Sequence, residues 1–167
     1  MISDKTALES VQPGRTRLPP RWVIRTIWVL HRAASAASGG RLGLRSATAD
    51  RAGYLELRTT GRRSGKLRRS ILAYHLDGPN LITLAMNGWA DSEPAWWLNL
   101  LAQPDARVDM PGESRRVRGR AADPDERARL WARFDAGPWG DVNAFAARRS
   151  HETAIVILEP AESAKPD

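Results

Sequence analysis

The chain of 167 residues is 42% hydrophobic, a length and composition that predict one domain with a buried core. It contains no cysteine and only three histidines, which excludes disulfides and thiol chemistry and argues against a metal site. The formal net charge of +7 favours an anionic partner, such as nucleic acid, an anionic lipid surface or a phosphorylated small molecule.

The N-terminal region changes character at residue 20. Residues 1–19 are polar and contain two prolines and a glycine, so we expect a flexible arm there. Over 21–36 apolar residues recur at helical spacing beside a cationic flank, which predicts an amphipathic helix. Its apolar residues include Trp22, Ile24, Ile27 and Trp28, and its cations are Arg21, Arg25 and Arg32. This helix would either cover the protein's own core or attach to an anionic membrane surface.

The sequence also predicts location and domain limits. No run of about 18 apolar residues occurs, and the first residues lack the basic and then apolar order of a signal peptide. We therefore expect a cytoplasmic protein, whose 21–36 helix is the candidate for peripheral contact with the inner face of the membrane. The expected organisation is an arm over 1–19, one domain over 20–160 that includes the helix, and a tail over 161–167.

Strand signals dominate the middle of the chain. Leu55 and Leu57 alternate with Glu56 and Arg58, which predicts a half-buried strand over 54–60. A nearly continuous apolar run predicts a second strand over 68–76, and the following Asp77-Gly78 pair is typical of a hairpin turn to a third strand over 80–86.

The second half of the chain adds helices and three more strands. A short helix is predicted between Pro94 and Pro104, followed by a hairpin around Pro111-Gly112. A capping pattern at 123–126 predicts another helix, a further helical stretch should reach about Arg149, and 154–158 should be a last buried strand. The expected class is α+β, with about six mostly antiparallel strands in a small barrel and helices packed on it.

The run from Thr59 to Arg69 is the strongest candidate for a binding site. Gly61 and Gly65 permit positive backbone dihedrals, so several amides could converge on one point, which would suit a phosphate. Cations surround that point, namely Arg62, Arg63, Lys66 and Arg68. The spacing matches neither a nucleotide P-loop nor a serine nucleophile elbow. A solvated basic hairpin is the alternative.

Several short motifs together resemble one known family. In chain order they are His31-Arg32 at a helix end, Ser38-Gly39-Gly40-Arg41-Leu42-Gly43, Thr59-Thr60-Gly61-Arg62-Arg63-Ser64-Gly65, Pro94-Ala95-Trp96, Asn99-Leu100, Pro104 and the strand over 155–160. Over about residues 21–160 the chain resembles the deazaflavin-dependent nitroreductases, actinobacterial-type proteins related to the split-barrel flavin oxidoreductases.

The resemblance implies a split β-barrel of the flavin-reductase and pyridoxamine-phosphate-oxidase type. It implies binding of reduced coenzyme F-420, an 8-hydroxy-5-deazaflavin with a phosphate and a polyglutamate tail, and hydride transfer to quinones, nitroaromatics or similar small-molecule acceptors. The cofactor-binding residues so implied are Thr59, Thr60, Gly61, Arg62, Arg63, Ser64, Gly65, Lys66, Arg68, Met86, Asn87, Gly88, Trp89 and Trp96. Trp97 and Phe145 are the implied acceptor pocket, and the catalytic group is unknown.

The chain also departs from the family pattern. Residues 86–89 replace a serine, a lysine and paired glycines, and Trp97 and Phe145 replace tyrosines. Phenylalanine cannot donate a hydrogen bond to a nitro or quinone oxygen, which argues against nitroreduction.

Two alternatives and the oligomeric state stay open on the sequence. A barrel that has lost polar cofactor contacts could be a non-catalytic carrier of a fatty acid or another hydrophobic anion. A flavin mononucleotide (FMN) protein of the same barrel class would need only one phosphate at the basic turn. Nucleic acid is not an expected partner, because the aromatics lie in apolar runs rather than among the cations. Both a monomer and a homodimer are compatible with the sequence.

Overall fold

The computed structural model describes residues 43–88, 90–135 and 141–161. The strands are β1 (Gly53–Thr60), β2 (Leu67–Asp77), β3 (Asn80–Leu84), β4 (Asp105–Met110), β5 (Glu113–Ala121) and β6 (Ile155–Pro160). The helices are α1 (Ala95–Ala102), α2 (Pro124–Asp135) and α3 (Val142–Ala146). The arm predicted over 1–19 and the amphipathic helix predicted over 21–36 lie outside the described residues.

The six strands close into a barrel in the order β1-β2-β3-β6-β5-β4, and every neighbouring pair is antiparallel. Three hairpins account for half of these pairings, because β1 and β2, β2 and β3, and β4 and β5 follow each other along the chain. Pairing of β1 with β4 closes the barrel, with Leu57 opposite Val108. The predicted α+β barrel of antiparallel strands is therefore confirmed.

The interior of the barrel is a packed apolar core. Alternate residues of the strands point inward, as Leu55 and Leu57 do, and both are fully buried. Helix α1 closes one end of this core by adding Trp96, Trp97 and Leu100. Gly119 on β5 makes room for that helix, since a Cβ there would lie 2.8 Å from Leu100 Cδ1.

A second apolar layer lies on the outer face of β3 and β6. Outward residues of these strands pack against α2 and α3; the cluster contains Ile82, Leu84, Leu130, Phe134, Val142, Ile155 and Ile157. Helix α2 starts where the capping pattern predicts, because Asp123 Oδ1 accepts from the amide of Glu126 at 2.8 Å and Glu126 Oε2 accepts from the amide of Asp123 at 3.0 Å. The helices therefore cover one side of the barrel.

One predicted element is shorter than its pattern indicates. Helix α3 ends at Ala146, whereas the sequence predicts helix to about Arg149. The amide of Ser150 donates to Asp91 Oδ1 at 2.6 Å, and the Arg149 side chain turns inward to the carbonyl of Ala85 at 3.0 Å. The amides of Arg148 and Arg149 still bond the carbonyls of Phe145 and Ala146 at 3.2 and 3.0 Å, so the chain leaves the helix through a tighter turn, and only at Ser150 does a distant loop take the amide. No helix in the described part of the chain is long and apolar enough to cross a membrane.

Candidate anion-binding site at one end of the barrel

The strand registers bring most of the predicted site residues to one end of the barrel. β1 ends at Thr60 opposite Leu67, the first residue of β2, so the β1–β2 turn (residues 61–66) projects from this end. β3 ends at Leu84 opposite Ile155, the first residue of β6, and β3 runs antiparallel to β2. The β3–α1 loop (residues 85–94) therefore projects from the same end as the turn, beside helix α1.

The backbone of the β1–β2 turn is directed into the protein rather than toward a ligand. The Gly61 amide donates to Lys66 O at 2.8 Å, and the amides of Ser64 and Gly65 donate to Gly61 O at 3.1 and 2.7 Å. The Arg62 amide donates to a side chain of α1 at 3.1 Å. These four amides therefore do not converge on a phosphate as predicted, because three of them close the turn and the fourth bonds Asn99.

The two glycines of the turn serve different purposes. Gly65 has φ +64°, the left-handed conformation that the sequence predicts. Gly61 is not in that region, so the prediction of a positive φ there is wrong. A glycine is favoured at this position because space is limited: a Cβ at Gly61 would lie 3.1 Å from both Lys66 O and Ser64 Oγ.

The cationic side chains of the turn, in contrast, face solvent. Arg62, Arg63, Lys66 and Arg68 are all exposed. Across residues 43–88, 90–135 and 141–161, no aspartate or glutamate forms an ion pair with any of these four. Ser64 Oγ accepts from Arg68 Nη2 at 3.3 Å and so orients that guanidinium. The turn presents a cluster of cations whose charge no neighbouring acid neutralises.

Asn99 of α1 anchors this cluster to the barrel. Its side chain is buried; Oδ1 accepts from the Arg62 amide at 3.1 Å and from Arg62 Nη1 at 3.4 Å, while Nδ2 donates to Thr59 Oγ1 at 3.1 Å. A buried amide is costly unless it is bonded, so these contacts fix the turn on the helix. In the sequence, Asn99 belongs to a motif without an indicated role. The signal for that role is a lone amide between the leucines of a short apolar helix.

Trp96 and Trp97 are mainly core residues. They are 6% and 5% exposed, and their ring centroids lie 6.4 Å apart with a tilt of 59°. Both belong to the interior cluster that also contains Ala85 and Leu100. Any contact with a ligand is limited to the small exposed edge of each ring, so the predicted roles of Trp96 and Trp97 remain predictions.

The first residues of the β3–α1 loop differ in exposure. Met86 is half-buried against the outer apolar layer, whereas Asn87 and Gly88 are exposed. Gly88 adopts φ +57°, and the Ala90 amide donates to Asn87 O at 3.1 Å, which makes a tight turn. Trp89 lies outside the described residues.

Phe145 does not share a hydrophobic cluster with Trp97 in the described residues. Trp97 packs inside the barrel, while Phe145 is buried on α3, the helix that contributes Val142 to the outer layer. The guanidinium of Arg148 lies 5.3 Å from the centroid of the Phe145 ring. Trp97 and Phe145 thus lie on different helices, and their role as an acceptor pocket stays a prediction.

Comparison with known proteins supports the resemblance. The model of the F420H(2)-dependent quinone reductase family matches residues 28–160. The F420H(2)-dependent quinone reductase Rv1261c of Mycobacterium tuberculosis is 28% identical over 144 residues, covering 83% of this chain and 95% of that protein. The putative F420H(2)-dependent quinone reductase Rv3178 of the same organism is 34% identical over 107 residues, covering 64% of this chain and 88% of that protein.

Solved structures share the fold. One described as an F420-H2 dependent reductase (FDR-A) superimposes with a TM-score of 0.57 at 21% identity, covering 64% of this chain and 93% of its own. A second, described as a domain-swapped dimer, has a TM-score of 0.58 at 20% identity and covers 81% of this chain and 99% of its own. At these identities the likeness establishes the split-barrel fold.

Proposed function

Given that this chain belongs to the F420H(2)-dependent quinone reductase family, we propose that it is an oxidoreductase that uses reduced coenzyme F-420 to reduce a quinone. The observation that carries the proposal is the set of exposed cations on the β1–β2 turn that no described acid neutralises. A phosphate and polyglutamate tail needs such a set, because each carboxylate and phosphate must find a cationic or hydrogen-bonding partner.

The donors present fit that tail. Each guanidinium offers five N–H donors, and at Arg62 only two nitrogen atoms, the backbone N and Nη1, have a partner in Asn99. Arg62, Arg63 and Lys66 would bind the phosphate and the first carboxylates, with Arg68 held beside them by Ser64. Thr59 would act indirectly, since its hydroxyl bonds Asn99 rather than solvent.

The deazaflavin ring would lie between the turn and the β3–α1 loop. Asn87 and Gly88 on that loop, Trp89, and the exposed edge of Trp96 would hold and orient it, while Thr60 and Gly65 shape the approach. When bound, the deazaflavin supplies the hydride. The protein then contributes orientation and exclusion of water, which sets how closely the ring and the acceptor approach.

A quinone is preferred as the acceptor over a nitroaromatic compound. The family description names quinones. Phe145 is buried and carries no donor that could bond a nitro oxygen, in agreement with the departure noted in the sequence.

The two alternatives are weaker. A fatty acid would need an apolar cavity, whereas the barrel interior is packed with buried side chains, among them Leu55, Leu57, Trp96 and Trp97. FMN would use one phosphate, and the remaining cations of the turn would then have no anion to bind. Attachment of the 21–36 helix to an anionic membrane stays a prediction, as does the choice between monomer and homodimer.

A pair of titrations tests the function. The full chain is titrated with coenzyme F-420 and, separately, with FMN, and cofactor fluorescence reports binding. We expect tighter binding of coenzyme F-420, and reduced cofactor should then be oxidised on addition of a short-chain quinone. Equal or tighter binding of FMN, or no quinone-dependent oxidation, would overturn the proposal.

A further inference from the structure

We propose that Arg149 is a positioning residue that sets the β3–α1 loop against the end of the barrel. The proposal rests on the proposed function in one respect, that this loop contacts the cofactor ring. Arg149 lies just after α3 and belongs to none of the motifs that the sequence analysis singles out. Its side chain is 0% exposed, so it acts on other protein groups and not on a ligand in solvent.

The guanidinium joins the two ends of the loop. Arg149 Nη1 donates to the carbonyl of Ala85, the first residue of the loop, at 3.0 Å. Arg149 Nη2 lies 3.5 Å from Oε2 of Glu93, near the last residue. Nη1 also donates to Thr153 Oγ1 at 2.7 Å, which ties the same group to the segment before β6. One planar side chain thus spans the loop at its base.

Two neighbours of Arg149 hold the same loop. Ser150 donates to Asp91 from its amide at 2.6 Å and from Oγ at 2.8 and 2.9 Å. These bonds lower the pKa of Asp91 and keep its carboxylate charged. His151 Nε2 lies 3.0 Å from Glu93 Oε1 and 2.7 Å from Arg149 Nη2. Consecutive residues 149–151 therefore contact the loop at 85, 91 and 93.

Two polar atoms at this contact lack hydrogen-bond partners within the described part of the chain. Arg149 Nε and Glu93 Oε2 are buried, and neither has a hydrogen-bond partner among the described residues. Charge-assisted hydrogen bonds are usually about 2.7–2.9 Å long, so the 3.5 Å separation of Nη2 and Oε2 is long for a pair with this burial. A buried guanidinium is retained at a cost, and the three contacts it makes to the loop and to β6 provide its compensation.

The contacts of Arg149 are distinct from the residues proposed to bind the anionic tail. Asn99 on α1 anchors Arg62 of the β1–β2 turn, whereas Arg149 holds the β3–α1 loop at Ala85. Loss of the Arg149 contacts should therefore leave the anionic tail bound while the loop shifts relative to the ring. Misplacement of this kind can reduce turnover by on the order of 10–100-fold.

The test compares Arg149→Met and Arg149→Lys in the full chain with Arg148→Met as the matched control. Arg148 is the neighbouring arginine, is exposed, and stacks on Phe145 rather than on the loop. Amide hydrogen exchange is measured by mass spectrometry for peptides over 85–94 and over β1, together with kcat for quinone reduction and Kd for coenzyme F-420.

For Arg149→Met we expect faster exchange over 85–94 with β1 unchanged, a kcat reduced about tenfold or more, and a Kd changed much less. Arg149→Lys keeps the charge but can bond only one end of the loop, so its loop exchange and kcat should be intermediate. In Arg148→Met, the amides of residues 85–94 should exchange at the same rate as in the parent chain.

Glu93→Gln provides a second variant in case Arg149→Met does not fold, and it should also speed exchange over 85–94 alone. Unchanged loop exchange, or an equal increase across β1 and the loop, would overturn the positioning role. If the parent chain neither binds coenzyme F-420 nor reduces a quinone, the proposed function fails, while the exchange data still decide whether Arg149 holds the loop.

Discussion

Arginines of two kinds occur at strand ends of the barrel. Arg62 and Arg63 on the β1–β2 turn are exposed and have no acidic partner among the described residues. Arg120 on β5 bonds Glu126 through Nη1 and Nη2 at 2.6 and 2.7 Å and Glu159 through Nε at 2.7 Å. An arginine with two carboxylates has used its donors, whereas one without them can bind an anionic ligand.

Electrostatics accentuate this difference. The hydrogen bonds from Arg120 lower the pKa of Glu126 from 4.5 to about 2, and they raise the pKa of Arg120 itself. The pair links β5 to the start of α2, so its role is structural. The turn cations stabilise no such contact with an acid, and binding of an anion would reduce the mutual repulsion among them. Four predictions test how far this division holds.

The largest effect is expected from removing the cations of the turn. Arg62→Ala, Arg63→Ala and Lys66→Ala combined should weaken coenzyme F-420 binding by on the order of a thousandfold, since each charge-assisted bond contributes about 1.5–3 kcal/mol. The dependence of Kd on salt should also flatten. Fluorescence titration at several salt concentrations measures both quantities.

The control replaces three exposed arginines outside the turn by alanine, namely Arg51, Arg107 and Arg116. It changes the net charge by the same amount and should leave Kd nearly unchanged. Equal weakening in both triple variants would show that overall charge, and not the turn, attracts the cofactor.

The second-largest effect is expected from crowding α1, the helix that carries Asn99. Gly119→Ala would place a Cβ 2.8 Å from Leu100 Cδ1, and Leu100 is 1% exposed with little room to move. Overpacking of this kind lowers the free energy of unfolding by about 1–3 kcal/mol. Urea denaturation measures it. Gly78→Ala has open space around the new Cβ, so its cost reports the backbone strain of a positive φ and no steric clash.

Asn99→Asp should give Arg62 a carboxylate partner, as Arg120 already has. The new carboxylate would stand where Asn99 Oδ1 now lies, 3.4 Å from Arg62 Nη1, and would compete with the cofactor for that guanidinium. We expect Kd for coenzyme F-420 to rise about tenfold, the loss of roughly one charge-assisted bond. Circular dichroism should show the fold retained. A Kd equal to that of the parent chain would separate Arg62 from tail binding.

The smallest effect belongs to the structural pair. The pKa of Glu126 is lower in the folded chain than in the unfolded chain, so its contribution is present above about pH 4.5 and is lost as the pH falls toward about 2. Glu126→Gln should cost about 1 kcal/mol or less at neutral pH, because both partners are partly exposed. Denaturation at pH 7 and at pH 2.5 should show the difference from the parent chain shrinking at the lower pH.

Local patterns account for the parts of the fold that the sequence predicts. The alternation around Leu55 and Leu57, the turns at Gly78 and Gly112 with φ of 59° and 76°, and the reciprocal bonds of Asp123 and Glu126 depend on residues close in the chain. Such signals report burial and backbone preference directly. The barrel and its hairpins were therefore predictable.

The sequence predicted which residues form the candidate site, but it did not predict how their backbone and side-chain groups are arranged. The cations, Ser64 and Gly65 of the turn were identified, but the direction of its amides was not, because it depends on which oxygens the folded turn brings within reach. Asn99 was part of a motif without a role, since its partners Thr59 and Arg62 lie about 40 positions away in the chain. Contacts at such separations leave no periodicity to detect.

The sequence by itself determined the six strands, their turns, the capped α2 helix and the cluster of cations between β1 and β2, because each is a property of neighbouring residues. Only the tertiary structure decided which arginines are neutralised and where α3 ends. Arg120 is ion-paired because β6 brings Glu159 beside it. Helix α3 ends at Ala146, and residues 149–151 then contact Ala85, Asp91 and Glu93 in the loop after β3. Barrel closure creates these proximities, and the pKa of each group then shifts according to the neighbours it acquires.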